Sequence, residues 1–366
     1  MKKTSSNKNL KSANRAKSDE FYTQLSDIEK ELRNYKDHLK NKVIFCNCDD
    51  PEESNFWNYF ALNFEFLGLK KLVSTHYKDA NLFTKESPYK LEIVKDANKD
   101  GKINKLDTIK TLLKQNGDFR SSECIEILKE ADVIVTNPPF SLFREYLAQL
   151  FEYKKKFIII GNLNAITYKE TFKLIKDNKI WLGQSIHSGD REFRVPESYP
   201  LNSAGNRIDE NGNKFIRVKG VRWFTNLDYK ERHDDLILYK TYYGHESEYP
   251  KYKNYDAINV DVTKDIPMDY KGAIGVPITF LDKYNPDQFE LVALGIVGSI
   301  DFACNKKMEI LDKSGMPTGK FTWNAKGTLY RLHNPLMDKS PAFKDVETGE
   351  LYSSIYARVI IKNKKI

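Results

Sequence analysis

One short run, residues 132–140, constrains the fold of this chain more than any other part of its sequence. It reads Asp-Val-Ile-Val-Thr-Asn-Pro-Pro-Phe. Its β-branched stretch, Val133–Val135, is typical of a strand that is buried on both faces, as in a parallel sheet. Pro138 and Pro139 have no amide hydrogen for a sheet ladder, and their rings fix φ, so they end the strand abruptly. The run therefore predicts a buried strand followed by a rigid turn.

The turn after this strand is a candidate binding site. In open α/β sheets, ligands bind at the carboxyl edge, and Asn137 lies at that edge. The Asn137 side-chain oxygen and the Pro138 carbonyl can accept both hydrogens of an exocyclic amine, while the Phe140 ring can stack on a planar base. The alternative is that Asn-Pro-Pro only starts a loop. A helix predicted at Ser141–Tyr153 places the motif between a strand and a helix, which favours the functional interpretation.

The first half of the chain alternates between strands and helices. Strands are predicted at residues 43–46, 69–76, 132–136 and 157–161, and helices are predicted from Ser26 and after a cap at Ser54. Such alternation implies helices on both faces of a sheet. We therefore predict an α/β fold with a predominantly parallel sheet over residues 19–185.

The remainder of the chain, residues 186–366, has a different pattern. Long helical periodicity is absent, and strands are predicted at residues 215–218, 236–239, 273–281, 291–297 and 355–361. These features predict a second, β-rich region. At the other end, residues 1–18 carry six basic residues and no acid, which predicts a disordered basic arm.

Composition limits the class of protein but does not identify it. The net charge of +8 suits a polyanionic partner. The sequence lacks both a run of eighteen apolar residues and an apolar signal core, so no membrane association and a cytoplasmic location are expected. The four cysteines are too scattered for a zinc site. Residues 96–103 match the start of a calcium-binding EF-hand loop, but Asp-Gly there is better explained as a hairpin turn, so no metal is predicted.

Several motifs resemble those of one enzyme class. Asn137-Pro138-Pro139-Phe140 resembles the catalytic motif of amino-methyltransferases that use S-adenosylmethionine, particularly DNA adenine-N6 methyltransferases. The stretches 45–51, 219–226 and 355–358 look like the EcoRI-type adenine methyltransferase family, and the resemblance covers nearly the whole chain from Asp19 onward. It implies a Rossmann-like methyltransferase fold, with residues 19–185 as the catalytic domain and 186–366 as the target-recognition region.

The resemblance also implies roles for individual residues. The Phe-Tyr-Thr element at residues 21–23 would lie against the methionine end of the cofactor. The acidic pair Asp49-Asp50 would bind the cofactor's ammonium or ribose hydroxyls. Asp118 would accept a hydrogen bond from the cofactor's adenine amine. The implied cofactor-binding residues are Phe21, Tyr22, Thr23, Asp49, Asp50, Asp118 and Phe119. The implied catalytic residues are Asn137, Pro138, Pro139 and Phe140.

Two departures from the usual methyltransferase pattern affect the cofactor site. The acidic pair Asp49-Asp50 replaces the glycine-rich loop expected after the first strand. The second strand is followed by His76 instead of the usual acid, so the sequence does not assign the ribose contact.

The region from Lys214 to Arg232 interleaves basic and aromatic residues, as DNA-contacting surfaces do. The candidate DNA-binding residues are Lys214, Arg217, Lys219, Arg222 and Trp223. The same pattern also fits solvated β-edges with core aromatics.

The expected function is site-specific adenine-N6 methylation of double-stranded DNA by a monomer, with a cognate restriction endonuclease as the possible partner. Methylation of RNA or of a protein glutamine is one alternative, because Asn-Pro-Pro-aromatic motifs suit any planar amide or amine. The other alternative is a non-catalytic DNA-binding protein on the same fold.

Overall fold

Two compact units make up the chain in the computed structural model, which describes residues 21–48, 50–77, 87–197, 199–201, 205–302 and 306–366. The first unit takes residues up to Ala165 together with Ile180–Lys230, and the second takes Ile166–Lys179 and Glu231–Ile366. The chain thus leaves the first unit after Ala165 and returns at Ile180. The predicted basic arm and Asp49 lie outside the described residues. The assignment of residues 186–366 to target recognition stays a prediction.

The first unit contains twelve strands and six α-helices among its described residues. The strands are β1 (Tyr22–Thr23), β2 (Val43–Cys46), β3 (Lys71–Thr75), β4 (Tyr89–Ile93), β5 (Ile109–Leu112), β6 (Val133–Thr136), β7 (Lys156–Asn162), β8 (Trp181–Leu182), β9 (Asp190–Val195), β10 (Arg207–Ile208), β11 (Lys214–Lys219) and β12 (Val221–Thr225). The helices are α1 (Leu25–Leu32), α2 (Lys36–Leu39), α3 (Asn55–Leu62), α4 (Phe64–Leu67), α5 (Ser122–Glu130) and α6 (Phe143–Glu152).

The second unit contains one α-helix and nine strands in the part of the chain that the structure describes. These are α7 (Lys169–Lys176), β13 (Ile258–Asn259), β14 (Ile274–Pro277), β15 (Phe289–Leu294), β16 (Lys307–Leu311), β17 (Pro317–Trp323), β18 (Leu329–Leu332), β19 (Phe343–Asp345), β20 (Leu351–Ile355) and β21 (Arg358–Asn363). Short 3₁₀ segments lie at Arg33–Tyr35, Lys105–Asp107, Phe140–Leu142, Leu163–Thr167, Lys230–His233, Glu246–Glu248, Thr263–Asp265, Ile278–Lys283 and Asn324–Gly327.

An eight-stranded sheet, in the order β5-β4-β3-β2-β6-β7-β12-β8, forms the centre of the first unit. Its four middle strands are parallel, because β2 pairs with β3 and β6, and β6 pairs with β7. The four outer pairings, β3 with β4, β4 with β5, β7 with β12 and β12 with β8, are antiparallel. The sheet is therefore mixed, and the prediction of a predominantly parallel sheet is wrong outside its centre.

A smaller antiparallel sheet, in the order β1-β9-β11-β10, belongs to the same unit. Tyr22 pairs with Arg194 and Thr23 with Phe193, so a segment near the start of the chain joins a strand that lies much later in the sequence. One face of this sheet is apolar, with Phe193, Ile216 and Val218 buried in the main core. This face fixes the Phe21–Thr23 segment against the body of the unit.

The second unit is built from a four-stranded sheet, β13-β14-β21-β15, and a five-stranded sheet, β17-β16-β19-β20-β18. This confirms the predicted β-rich C-terminal region. The predicted strand at residues 236–239 is wrong. The side chain of Gln288 accepts from the Leu236 amide at 2.7 Å and donates to the Leu236 carbonyl at 2.8 Å, so it takes the place of a neighbouring strand.

The helices of the first unit follow the sequence pattern closely. Helix α1 begins at Leu25, and its N-cap is Gln24 and not Ser26, so Ser26 does not cap it. Ile28 and Leu32 on its inner face are buried. Ser54 caps α3 as predicted, since its hydroxyl oxygen accepts from the Phe56 amide at 3.1 Å. None of the helices in the described ranges combines the length and the apolar content needed to cross a bilayer.

Candidate active site at the carboxyl edge of the large sheet

Three polar residues follow directly after the parallel strands at the centre of the large sheet. Asn47 follows β2, His76 follows β3 and Asn137 follows β6. Because β2 pairs in parallel with both β3 and β6, all three residues lie at one carboxyl edge. This is the edge at which α/β sheets bind ligands.

The Asn137 side chain is held in one orientation. It is only 4% exposed, and its Nδ2 donates to the Phe21 carbonyl oxygen at 2.5 Å. Its Oδ1 is buried and has no hydrogen-bond partner among the described residues. A buried acceptor without a partner costs about 1–3 kcal/mol, so such an atom calls for an explanation, and a donor group of a ligand is one. The arrangement leaves one oriented acceptor for a donor group of a ligand.

Phe140, three residues further on, is part of an aromatic cluster. Its ring meets Phe21 edge-on, with centroids 5.7 Å apart, and Phe193 edge-on at 6.5 Å. Phe21 also contacts Tyr199, at 6.1 Å between centroids. The Phe140 side chain is half-buried, so these contacts fix the ring while part of it stays accessible.

Asn47 connects the strands at this edge, a role that the sequence analysis missed. Its backbone carbonyl accepts a hydrogen bond from the Thr136 hydroxyl, and its side-chain oxygen accepts one from the Tyr146 hydroxyl. Burial raises the pKa of Tyr146, which therefore stays a neutral donor. The Tyr146 ring also meets Phe119 edge-on at 5.1 Å. The only sequence signal for Asn47 was its position directly after a buried strand.

Asp50 is half-buried and carries a charge at the same edge. Its Oδ1 accepts from the Glu52 amide at 3.0 Å and from the Tyr89 hydroxyl at 3.3 Å, and its Oδ2 lies 3.3 Å from Nδ1 of His76. Burial alone would raise the pKa of Asp50, but the interactions with His76, Glu52 and Tyr89 together hold this pKa below its ordinary value. Asp50 is therefore an ionised acceptor. It lies beside His76, the residue found where the usual acid would follow the second strand.

The loop that carries Asp118 reaches the end of β3 through a glycine. Gly117 has φ +76°, and a Cβ at this position would lie 2.1 Å from the His76 carbonyl oxygen. Only glycine allows so close an approach together with this backbone conformation. The loop thereby places the predicted residues Asp118 and Phe119 near the same edge.

Asp118 is already engaged within its own loop. Its carboxylate accepts from Nε of Arg120 at 2.8 Å and from Nη2 at 2.7 Å. Burial raises the pKa of Asp118, but the hydrogen bonds and the charge of Arg120 outweigh burial and lower it overall. We therefore expect Asp118 to be ionised, and its oxygens are shared with the exposed guanidinium of Arg120.

The candidate DNA-binding residues separate into two groups. Arg217 and Lys219 are exposed on β11, whereas Lys214 is partly buried and donates to the carbonyl oxygens of Glu197 and Tyr199.

Arg222 and Trp223, by contrast, belong to the core. Their strand, β12, is buried throughout between β7 and β8. Arg222 donates to the carbonyls of Val221 at 2.8 Å and His187 at 2.6 Å, and the Trp223 ring packs edge-on against Phe56. Neither side chain can reach a DNA surface in this structure, which corrects their assignment.

No metal centre accompanies these residues. Within the described ranges, no group of three or more His, Cys, Asp or Glu side chains is arranged to hold a metal ion. In the loop that resembles an EF-hand, both Asp107 oxygens accept from backbone amides instead, among them those of Ala97 and Asn104.

Comparison with known proteins gives one consistent result. A family model described as adenine-specific methyltransferase EcoRI matches residues 9–364. Type II methyltransferase M.EcoRI of Escherichia coli is 54% identical over 295 residues, which cover 80% of this chain and 90% of that protein. Type II methyltransferase M.MgeORF184P of Mycoplasma genitalium is 41% identical over 282 residues, covering 76% of this chain and 84% of the relative. Type II methyltransferase M.MpnI of Mycoplasma pneumoniae is also 41% identical, over 283 residues, covering 76% and 83%. No solved structure matches.

Proposed function

The chain belongs to the adenine-specific methyltransferase EcoRI family and is a DNA adenine methyltransferase of the restriction–modification type, and we propose that it methylates N6 of an adenine extruded from duplex DNA. The target amine is buried in the base stack of duplex DNA, so extrusion is required before any side chain can reach it. The carboxyl edge described above is the proposed place of reaction.

The observation that carries this proposal is the oriented amide of Asn137. Its Nδ2 donates a hydrogen bond to the Phe21 carbonyl, so Oδ1 points in one fixed direction. Oδ1 has no hydrogen-bond partner among the described residues. An exocyclic amine is a suitable donor for this acceptor, and the Pro138 carbonyl is proposed to accept the second amine hydrogen. With both hydrogens held, the nitrogen lone pair is directed away from the ring plane, where it can attack.

Phe140 is proposed to hold the extruded base by stacking. Extrusion costs a few kcal/mol, and stacking on an aromatic side chain returns about 1–3 kcal/mol. Pro139 keeps Phe140 at a fixed distance from Asn137, because its ring restricts the backbone between them. Two contacts on one rigid turn then position both the amine and the ring, and positioning is the main source of rate in such a transfer.

S-adenosylmethionine is the proposed cofactor, and when bound it supplies a methyl group activated by its sulfonium. Ionised carboxylates at the carboxyl edge suit its ammonium, ribose hydroxyls and adenine amine. The residues proposed to hold it are Phe21, Tyr22, Thr23, Asp50, Asp118 and Phe119, with Asp49 in the same motif. The parallel centre of the sheet and the position of these residues support a Rossmann-like methyltransferase fold for the first unit.

The wider context is also proposed. A restriction endonuclease that cuts the same DNA site would be the partner of a modification enzyme of this family. A cytoplasmic location follows from the substrate, since bacterial DNA lies there. Arg217 and Lys219, and to a lesser extent the partly buried Lys214, are proposed to contact DNA phosphates.

The test is transfer of labelled methyl from S-adenosylmethionine to separate DNA, RNA and protein substrates. We expect label in DNA, and long-read sequencing of DNA from an expressing host should place methyladenine at one recurrent sequence. Label in RNA or protein alone would overturn the choice of substrate. Saturable binding of S-adenosylhomocysteine, measured by calorimetry, separates an enzyme from a DNA-binding protein that lacks activity.

A further inference from the structure

Two large aromatic side chains are exposed on the edge strand β17 of the second unit. Phe321 is 53% exposed and Trp323 is 59% exposed. They are two residues apart in a strand, so their side chains leave the same face. Nζ of Lys307, on the neighbouring strand β16, lies 5.0 Å from the centroid of the Phe321 ring. The two strands thus present two rings and a cation on one face, with Glu309 of β16 opposite Phe321.

The turn that follows Trp323 has an unusual backbone. Asn324, Ala325, Lys326 and Gly327 have φ values of 45°, 50°, 60° and 74° in succession. Left-handed conformations are unfavourable for residues with a Cβ, and such strain persists only where surrounding structure enforces it.

The surrounding structure does fix this turn. Ala325 is buried, and Nδ2 of Asn254 donates to the Thr328 carbonyl at 2.8 Å. A Cβ at Gly327 would lie 2.7 Å from Cβ of Val297, so only glycine fits there. Trp323 is therefore exposed on a rigid part of the sheet and not on a loop that could fold back to cover it.

The charge of the same segment indicates the kind of partner. Residues 306–327 contain five lysines and two acids, a net charge of +3: Lys306, Lys307, Lys313, Lys320 and Lys326 against Glu309 and Asp312. Exposed aromatic rings among lysines suit nucleic acid, where rings contact bases and ammonium groups contact phosphates.

We propose that the face of β17 that carries Phe321 and Trp323 is a DNA-contacting surface. Its rings contact bases of the DNA substrate, and Lys307 on the same face contacts the phosphates beside them. Lys306 takes no part, because its Nζ is paired with Asp345 at 2.7 Å. This inference rests on the proposed function as a DNA methyltransferase. It assigns DNA contact to a strand that the sequence pattern had not singled out, in place of the buried Trp223.

The tryptophan content of the chain provides a direct probe. The chain has four tryptophans, of which Trp57 and Trp223 are 1% and 0% exposed and Trp181 is only partly exposed. Quenching of the intrinsic fluorescence by the neutral quencher acrylamide therefore reports mainly on Trp323. We expect plasmid-derived duplex DNA that contains the methylated site to protect the protein from acrylamide, and Trp323→Phe to abolish most of this protection while retaining affinity.

Affinity for the same duplex gives the second measurement. We expect Trp323→Ala and Phe321→Ala each to weaken DNA binding about 5- to 150-fold, the effect of losing one stacked base, without changing the affinity for S-adenosylhomocysteine. Leu336→Ala is the matched control, because Leu336 is 96% exposed in the same unit and should leave DNA affinity unchanged.

Three results would overturn the inference. DNA affinity that is unchanged in both alanine variants excludes the contact, and so does acrylamide quenching that DNA does not alter. A change of sedimentation coefficient in Trp323→Ala without DNA would assign this face to a second copy of the chain. Failure of the unaltered protein to bind or methylate DNA would instead overturn the proposed function itself.

Discussion

Nδ2 of Asn137 donates to the Phe21 carbonyl oxygen at 2.5 Å, across 116 residues of sequence. This bond joins the proposed catalytic turn to the N-terminal segment that is proposed to lie against the cofactor. It also fixes the orientation of the Asn137 amide, because Oδ1 must point away from the Phe21 carbonyl once Nδ2 is bonded to it. Oδ1 is therefore the amide atom that is buried without a partner. Orientation of the proposed catalytic amide therefore depends on a strand pairing made by Tyr22 and Thr23.

Replacement of Asn137 by alanine should separate chemistry from cofactor binding. We expect the single-turnover methylation rate to fall on the order of a hundredfold or more, as when one oriented polar group is removed from an active site. Calorimetric affinity for S-adenosylhomocysteine should stay within about twofold. Asn63→Ala is the control, since this asparagine lies between α3 and α4 and its side chain donates locally, to the Tyr59 carbonyl. A normal rate in Asn137→Ala would remove this residue from the catalytic role.

Phe140→Ala should impair base extrusion more than DNA affinity. Duplex DNA with 2-aminopurine at the target position reports extrusion by an increase in fluorescence. We expect this increase to be largely lost in Phe140→Ala, because the stacking contribution of about 1–3 kcal/mol is lost, and to be retained in Phe140→Tyr. An undiminished fluorescence response in the alanine variant would contradict the stacking role.

Asp50→Asn should weaken cofactor binding. A charge-assisted hydrogen bond contributes about 1.5–3 kcal/mol, so we expect roughly a 10- to 150-fold loss of affinity for S-adenosylhomocysteine. Glu52→Gln, which changes an exposed carboxylate two residues away, should have little effect. Analogues of S-adenosylhomocysteine that lack either the amino group or one ribose hydroxyl will identify the contact. The analogue that lacks the group bound by Asp50 should have the same affinity for Asp50→Asn as for the unaltered protein. Equal affinity in both proteins would exclude Asp50 from the site.

The same residue makes a prediction about pH. The pKa of Asp50 is lowered in the folded protein, so its carboxylate stabilises the fold above the ordinary aspartate pKa, and this contribution disappears as the pH falls through the lowered value. Chemical unfolding at a series of acidic pH values should therefore show a shallower loss of stability in Asp50→Asn than in the unaltered protein. Parallel curves would contradict the assigned direction of the shift.

Arg217→Ala combined with Lys219→Ala should reduce the salt dependence of DNA binding. Each phosphate contact contributes about one unit to the slope of log affinity against log salt, so we expect the slope to fall by about two. Lys95→Ala, which removes another exposed lysine of the first unit, should leave the slope unchanged. An unaltered slope in the double variant would place the DNA elsewhere.

The sequence predicted the centre of the large sheet and its site because that signal is local. The apolar run Val133–Val135 and the prolines after it determine a strand and its end without reference to other parts of the chain. The same holds for β2, whose buried residues form a short apolar run, and for β3, where the apolar pair Leu72-Val73 precedes buried Ser74 and Thr75. Polar residues at the ends of these strands had to meet at one edge once the strands were parallel.

The surfaces were harder to predict, since they depend on which distant strands become neighbours. Only Gly220 separates β11 from β12, yet β11 joins the small sheet and β12 the large one. Basic and aromatic residues alternate in both strands, so the pattern could not distinguish exposed Arg217 from buried Arg222. The strand β17 was not predicted, because Pro317–Trp323 contains no apolar run, and the exposure of its rings depends on β17 being the edge of its sheet.

The path of the chain between Ala165 and Ile180 limits how these enzymes can be recombined. An exchange of the proposed target-recognition regions between relatives at a single junction would leave α7 paired with a foreign β-rich unit. A chimera designed to recognise a new site would need three crossovers, one on each side of this helix and a third near Lys230. Diversity of specificity in this family should therefore arise more readily by substitution within the unit than by shuffling of whole segments.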